Sequence, residues 1–217
     1  GEFPDACLEE ARELSDQFNE RMERHIDGSE PFDPTERADL RDLFICTIDP
    51  PDAKDYDDAI SLEKLDSVAG GGRGWRLGIH IADVSHFVTP GSALDNEAKD
   101  RANSVYLPRL VIPMLPEILS NGICSLQEGV PRFCKSAFID YDEKGNVRGR
   151  GYSATIIKSA KRMTYLEAQA LIDGNEEEAK KHAKTEPNYT DQLKRALRDM
   201  NTLSRAIRER RRAAGMI

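Results

Sequence analysis

Long apolar runs are missing from this sequence. None approaches the ~20 residues that a membrane-spanning helix requires, so no such helix is expected. Cysteine is scarce too: Cys7, Cys46, Cys124 and Cys134 are irregularly spaced and form no C-x-x-C pair. That argues against a zinc site or a disulfide framework and for a reducing, cytoplasmic compartment. The amino terminus, Gly1-Glu2-Phe3-Pro4-Asp5, lacks the basic and apolar regions of a secretory signal. Positive charge is not in excess, with 31 Lys+Arg against 39 Asp+Glu and a formal net charge of -8. The acidic balance argues against a protein that grips nucleic acid by bulk charge alone, although a local basic surface can coexist with it, and any polyanion-binding claim must rest on a site.

What remains is an ordinary globular composition: 217 residues, 39% hydrophobic and 32% charged, enough for one large domain or two small ones. From Pro4 to Met22 the residues Cys7/Leu8, Ala11, Leu14, Phe18 and Met22 recur every three or four positions, which predicts an amphipathic helix. The stretch 27–34, dense in turn formers, should end it. Leu43 to Ile48 suits a buried strand, and Ala59 to Leu65 with Trp75 to Val84 suit a hairpin whose tip carries Gly70 to Gly74. Ser92 can cap a helix reaching about Asn103. A proline-punctuated stretch over 104–135 should hold one short helix near Pro116 to Ser120. Lys135 to Tyr141 and Val147 to Lys158 bracket a second hairpin turn, and helices are expected at about 165–172 and 189–213. The fold class is mixed α/β (α+β), with a central, mostly antiparallel sheet and flanking helices.

The most unusual segment follows the first strand. Between Asp49 and Asp58 lie five aspartates and one lysine, in the order Asp-Pro-Pro-Asp-Ala-Lys-Asp-Tyr-Asp-Asp. Carboxylates this close repel one another unless a cation sits among them. A charge run is usually a solvated turn, but this one hangs from a strand end, is stiffened by two prolines and returns at once to an apolar strand. Ligands restricted to carboxylates favour a hard cation, magnesium or manganese. Calcium stays open, although the spacing is not that of an EF-hand. Carboxylates holding hard divalent ions are the usual apparatus of phosphoryl chemistry, so a nuclease or phosphatase leads.

The stretch Thr47 to Ile60 closely resembles the signature of the RNB ribonucleases, the ribonuclease II / ribonuclease R family. The resemblance continues through Gly78-Ile79-His80-Ile81-Ala82-Asp83-Val84-Ser85-His86-Phe87-Val88, Asn103-Ser104-Val105-Tyr106-Leu107-Pro108, Ile112-Pro113-Met114-Leu115-Pro116, Leu119-Ser120 and Cys124-Ser125-Leu126. It implies an RNB-type catalytic fold and magnesium-dependent, 3′-to-5′ hydrolysis of single-stranded RNA to nucleoside 5′-monophosphates, with manganese as a substitute. Carried over by position, the family aspartates fall on Asp49, Asp55, Asp57 and Asp58, with Asp57 the most critical for cleavage; Asp52 lies outside the set. Tyr106 matches a tyrosine that stacks on RNA bases, and Tyr165 one that positions the 3′-terminal nucleotides. Family catalytic domains continue past the position of Ile217. The expectation is therefore a lead-in helix and linker over 1–34 and the first part of an RNB domain over 35–217, whose exposed sheet could self-associate.

Other residues invite blander readings. His80 and His86 on a regular strand would lie ~20 Å apart, too far to chelate one ion, so both, with Asp83, are read as structural. The glycine loop lacks a P-loop ending and reads as a hairpin tip. The final helix carries Lys194, Arg195, Arg198, Arg205, Arg208 and Arg210 to Arg212 around its apolar stripe, either as a solvated face or as an RNA track. A second class of function is a binding module that holds RNA or a protein without cutting it, and a third is a calcium-stabilised structural domain.

Overall fold

A computed structural model describes residues 2–30, 32–107 and 110–215. Pro31 of the expected linker and Pro108 of the Tyr-Leu-Pro motif lie outside them. The periodic amino-terminal segment forms α1, Asp5–Asp27, one turn longer than its apolar stripe, and Gly28 ends it in the left-handed conformation. The sheet strands are β1 (Ala38–Asp39), β2 (Ile45–Asp49), β3 (Asp58–Leu65) and β4 (Gly74–Ala82), then β7 (Pro131–Asp142), β8 (Val147–Lys158) and β9 (Lys161–Thr164). Between them lie α2 (Val84–Phe87), α3 (Ala93–Arg101), the strands β5 (Val105–Leu107) and β6 (Leu110–Ile112), and a π-helical turn over Ile118–Ile123. The chain closes with α4 (Tyr165–Ile172), α5 (Glu176–His182) and α6 (Asp191–Ala213).

Seven strands form one sheet in the order β1-β8-β7-β4-β3-β2-β9. Pairing is antiparallel except at the two edges, where β1 runs parallel to β8 and β9 parallel to β2. The expected mostly antiparallel sheet with flanking helices is thus observed. The β3–β4 hairpin pairs Leu65 with Gly74, and Gly70, Gly71 and Gly72 at its tip all take positive φ, which glycine alone adopts freely. Helix α3 is capped by Ser92, whose Oγ accepts from the Asp95 amide at 3.1 Å. In the proline-rich stretch the short helix is joined by a β5–β6 hairpin that the sequence reading did not include.

Helices cover both sides of the sheet. One core gathers Cys7, Ala11, Phe18 and Met22 of α1 with Leu94 of α3, Leu119, Phe133 and Ile156, so the lead-in helix is built into the body of the fold. The other packs Ala168 and Leu171 of α4 and Leu193 and Leu197 of α6 against Cys46 and Met163. Asp83, just past β4, is buried in an ion pair with Arg37 at 2.7 Å, and the Arg37 guanidinium lies 4.0 Å from the Phe133 ring centroid. His86 lies on α2, not on a strand, and packs edge-on against Phe87 and Phe133.

A polar chain crosses the sheet interior. His80 is fully buried, its Nε2 2.9 Å from Ser61 Oγ and its Nδ1 2.7 Å from Ser136 Oγ, which in turn meets Thr155 Oγ1 at 2.7 Å. Thr155 donates to the Cys134 carbonyl, so Ser136 donates to Thr155 and accepts from His80 Nδ1–H. Nε2 is left to accept the Ser61 proton, and a neutral imidazole satisfies the whole chain. Gly78 makes room for it, since a Cβ there would stand 2.3 Å from Ser61 Oγ and 2.8 Å from His80 Nε2. Burial pushes the His80 pKa down to about 4. The unfolded chain therefore takes up this proton first, and stability present above pH 6.5 is lost as pH falls toward 4. Urea unfolding should show a loss of about 3 kcal/mol from this group over that interval. In His80→Gln the pH dependence should be flatter by that amount.

Candidate active site

The acidic loop occupies one end of the sheet, where three strands and a helix start converge. Asp49 is the last residue of β2 and lies opposite Thr164 of β9. The chain then turns through Pro50 to Ala53, whose amide donates to the Pro50 carbonyl at 3.2 Å. Asp58 opens β3 opposite Ile81, and the Asp57 carbonyl accepts the Ala82 amide at 2.9 Å, which extends the β3–β4 ladder by one bond. Both ends of the loop are thus fixed by the sheet.

Asp49 is buried, 7% exposed, and its Oδ2 has no hydrogen-bond partner. Burial is the main reason its pKa is pushed up to about 6; the Thr47 hydroxyl and Arg162 oppose the rise, and Asp58 and Asp57 add to it. Asp57 is raised as well, by desolvation first, with its own backbone amide opposing and Asp58 and Asp55 adding repulsion. Asp55 accepts a hydrogen bond at 2.9 Å from Tyr106 on β5. Tyr106 is therefore a strand residue, tied to the acidic loop across 51 positions of sequence, with its ring open to solvent. Tyr165 is the first residue of α4, exposed, directly after the Thr164 that faces Asp49. A capping box fixes that helix start: Thr164 Oγ1 accepts from the Glu167 amide and Glu167 accepts from the Thr164 amide.

A divalent ion fits this donor set in kind: only carboxylates, crowded by mutual repulsion, one of them buried with an orphaned oxygen. Among the described residues, no three His, Cys, Asp or Glu side chains converge closely enough to hold an ion. Asp57 and Asp58 are consecutive where the chain enters a strand, which sends their side chains apart. The Asp55 carboxylate is turned to Tyr106. From Asp58 a groove of about 1240 Å³ runs along the sheet past Ile60 and Ile79 to Arg208, Arg211 and Arg212 of α6. The final helix thus contributes Arg208, Arg211 and Arg212 to the groove lining, a selection that helical periodicity alone did not make.

Sequence reasoning missed the residues behind the loop. Arg162 of β9 is buried, its Nη2 donates to the Pro51 carbonyl at 3.3 Å, and its guanidinium carbon lies 4.9 Å from the Tyr56 ring centroid. Ser125, also buried, accepts from the Tyr56 amide and donates to the Lys54 carbonyl.

Comparison with known proteins decides the family. The RNB domain model matches residues 37–217. The chain belongs to the RNB family. It is 44% identical over 176 residues to Ribonuclease R of Acidithiobacillus ferrooxidans, covering 81% of this chain and 36% of that protein. Against Ribonuclease R of Thermotoga maritima it is 42% identical over all 217 residues, 27% of that protein. A structure of Mycoplasma genitalium RNase R in complex with ribose-methylated single-stranded RNA superposes with a TM-score of 0.70 at 30% identity, covering 95% of this chain and 32% of that one. The chain thus spans about a third of the length of these relatives. Among the described residues no helix is long and apolar enough to cross a membrane.

Because the charged Asp49 carboxylate is held in the fold at a cost, Asp49→Asn should stabilise the metal-free protein at pH 7 by about 1–3 kcal/mol in urea unfolding. The wild-type folded state gains protons between pH 6 and 4, so that advantage should fade with acid. Added Mg2+ should raise the wild-type unfolding midpoint and leave that of Asp49→Asn in place.

Proposed function

We propose that this chain is the first part of the catalytic domain of a cytoplasmic, magnesium-dependent 3′-to-5′ hydrolytic exoribonuclease. Its substrate is single-stranded RNA and its products are nucleoside 5′-monophosphates. The observation that carries the reading is the gathering of Asp49, Asp55, Asp57 and Asp58 at one sheet end of an RNB-family chain, with Asp49 buried and orphaned at Oδ2. A module relieved of catalysis has no need of such mutually repelling charges. RNA as partner is supported by the Mycoplasma genitalium relative, whose structure includes single-stranded RNA.

Asp49, Asp55 and Asp58 would hold Mg2+, or Mn2+ in its place, and Asp57 would serve a second ion or the attacking water. Such ions, when bound, polarise the phosphodiester and lower the pKa of water. The remaining roles belong to the chain itself. Tyr106 offers an open ring for base stacking, worth ~1–3 kcal/mol per base, while its hydroxyl stays on Asp55. Tyr165, at the start of α4 beside the Asp49 strand end, is placed to orient the last nucleotides. Arg208, Arg211 and Arg212 supply cations for phosphates along the groove.

The test uses single-stranded RNA labelled at one end or the other, with Mg2+ and either this chain or the longest native protein that contains it. Mononucleotides should leave from the 3′ end. Asp57→Asn should bind RNA as wild type does but release nothing, and Tyr106→Ala should change the length of the shortest undigested product. A fully active Asp57→Asn protein sinks the catalytic assignment. Binding of metal and RNA without cutting by either wild-type form would instead make this an RNA-holding module.

A further inference from the structure

A loop with five aspartates in ten residues has to be held in shape against its own repulsion. The side of the loop that carries no acid shows how. Arg162 spans it: Nη2 reaches the Pro51 carbonyl near the start, and the guanidinium lies over the Tyr56 ring near the end. Tyr56 is in turn locked at three points. Its hydroxyl donates to the Ala53 carbonyl at 2.9 Å, its amide to Ser125 Oγ at 3.2 Å, and its carbonyl accepts the Leu126 amide at 2.7 Å. Ser125 closes the frame by donating to the Lys54 carbonyl at 2.9 Å.

Arg162 itself is anchored away from the loop. Its backbone lies in β9 opposite Thr47 of β2, and its amide donates to Glu128 Oε2 at 2.9 Å. The same Glu128 oxygen accepts from Thr185 and pairs with Lys161. Arg162 Nε is buried with no partner, an expense that an ordinary scaffold contact does not explain. A guanidinium stays protonated at any working pH, and its flat face can stack while its edge donates, which a lysine ammonium cannot do. Its guanidinium donates to the Pro51 carbonyl and so occupies none of the loop's carboxylate oxygens.

We propose that Arg162 is a positioning residue for the acidic loop. With Tyr56 and Ser125 it holds the backbone 50–57 in the shape from which Asp49, Asp55, Asp57 and Asp58 receive a divalent ion, and it does not touch RNA. The metal half of this statement rests on the proposed function; the positioning half does not.

The test compares Arg162→Lys, Tyr56→Leu and Tyr56→Phe with wild type in the full chain, by hydrogen exchange over residues 50–58, Mn2+ binding by electron paramagnetic resonance, and metal-free RNA binding. Arg162→Lys and Tyr56→Leu should speed exchange at 50–58 while leaving exchange elsewhere unchanged. They should weaken Mn2+ binding by about tenfold or more, the usual consequence of losing an outer support. Tyr56→Phe keeps the stacked ring and should bind Mn2+ close to wild type. Metal-free RNA affinity should not change in any of them. Should Arg162→Lys fail to fold, Tyr56→Leu carries the test, since it removes the stack and leaves the buried charge. Wild-type exchange over 50–58 in a folded Arg162→Lys or Tyr56→Leu protein overturns the proposal, as does a loss of metal-free RNA binding in Arg162→Lys. If wild type binds no Mn2+ at all, the metal reading fails while the exchange result still decides the positioning role.

Discussion

Mutual repulsion among the carboxylates between Asp49 and Asp58 is the constraint to which the rest of the structure answers. Left to itself, such a segment would spread into solvent. Here it cannot, because Asp49 terminates a strand paired on both sides and Asp58 begins the next one. β2 lies between an antiparallel neighbour and a parallel one, so the end of β2, the start of β3 and the end of β9 meet at the same edge. The parallel pairing of β9 also delivers the start of α4, and Tyr165 with it, beside Asp49. One sheet register thus assembles acids and aromatics from residues more than a hundred positions apart.

Behind that edge the scaffold is specific where it could have been merely greasy. The Ser61, His80, Ser136 and Thr155 chain satisfies every polar atom it brings into the interior, and Gly78 is the residue that leaves it space. A satisfied buried network of this kind fixes one arrangement of β3, β4, β7 and β8, because slipping a strand would orphan its members. The Arg37–Asp83 pair does the same for the chain entering β1 and leaving β4. Burial works against a charged Asp83, but the bonds from Arg37 and Ser85 and the nearby cations prevail and hold its pKa below the usual carboxylate range. The two acids differ in their partners: Asp83 has a matched cation and stays charged, whereas Asp49 has acidic neighbours and an oxygen with nothing to meet it.

Much of this was legible from residue order because period and punctuation carried it. The stripe Cys7, Ala11, Phe18 and Met22 defined α1, the Gly70 to Gly74 tip defined a hairpin, and Leu193 and Leu197 placed α6. The elements that escaped carry no apolar period of their own, or owe their burial to partners distant in sequence. β9 begins Lys161-Arg162, which looks like surface, and both are buried because Glu128, Thr185 and the Pro51 carbonyl receive them. α5 has three glutamates and two lysines and buries only Ala179, so no stripe announced it. β5 and β6 are apolar but largely exposed, and the proline-punctuated stretch that holds them carried the expectation of one short helix and no strand. The acidic loop declared its chemistry by composition; the residues that shape it did not. A lone arginine before Met163-Thr164-Tyr165 becomes informative only once β9 is known to lie against β2.

On the proposed function, the position of that arginine follows from what a carboxylate site for a hard cation must avoid. A cation placed among the aspartates would quiet their repulsion most effectively, but it would occupy the oxygens that an ion has to take. A site with no fixed cation would keep those oxygens open at the cost of a loop driven apart. Arg162 lies between these extremes: it sits behind Tyr56, close enough to pull down the proton affinity of Asp49, and spends its hydrogen bond on the Pro51 carbonyl. Lys54, the one basic residue within the loop, is exposed, its carbonyl accepts from Ser125, and among the described residues its ammonium pairs with no carboxylate. The charge balance of the loop is therefore incomplete by construction. Asp49 Oδ2 remains without a partner, and the deficit that the scaffold leaves is the one a divalent cation is able to fill.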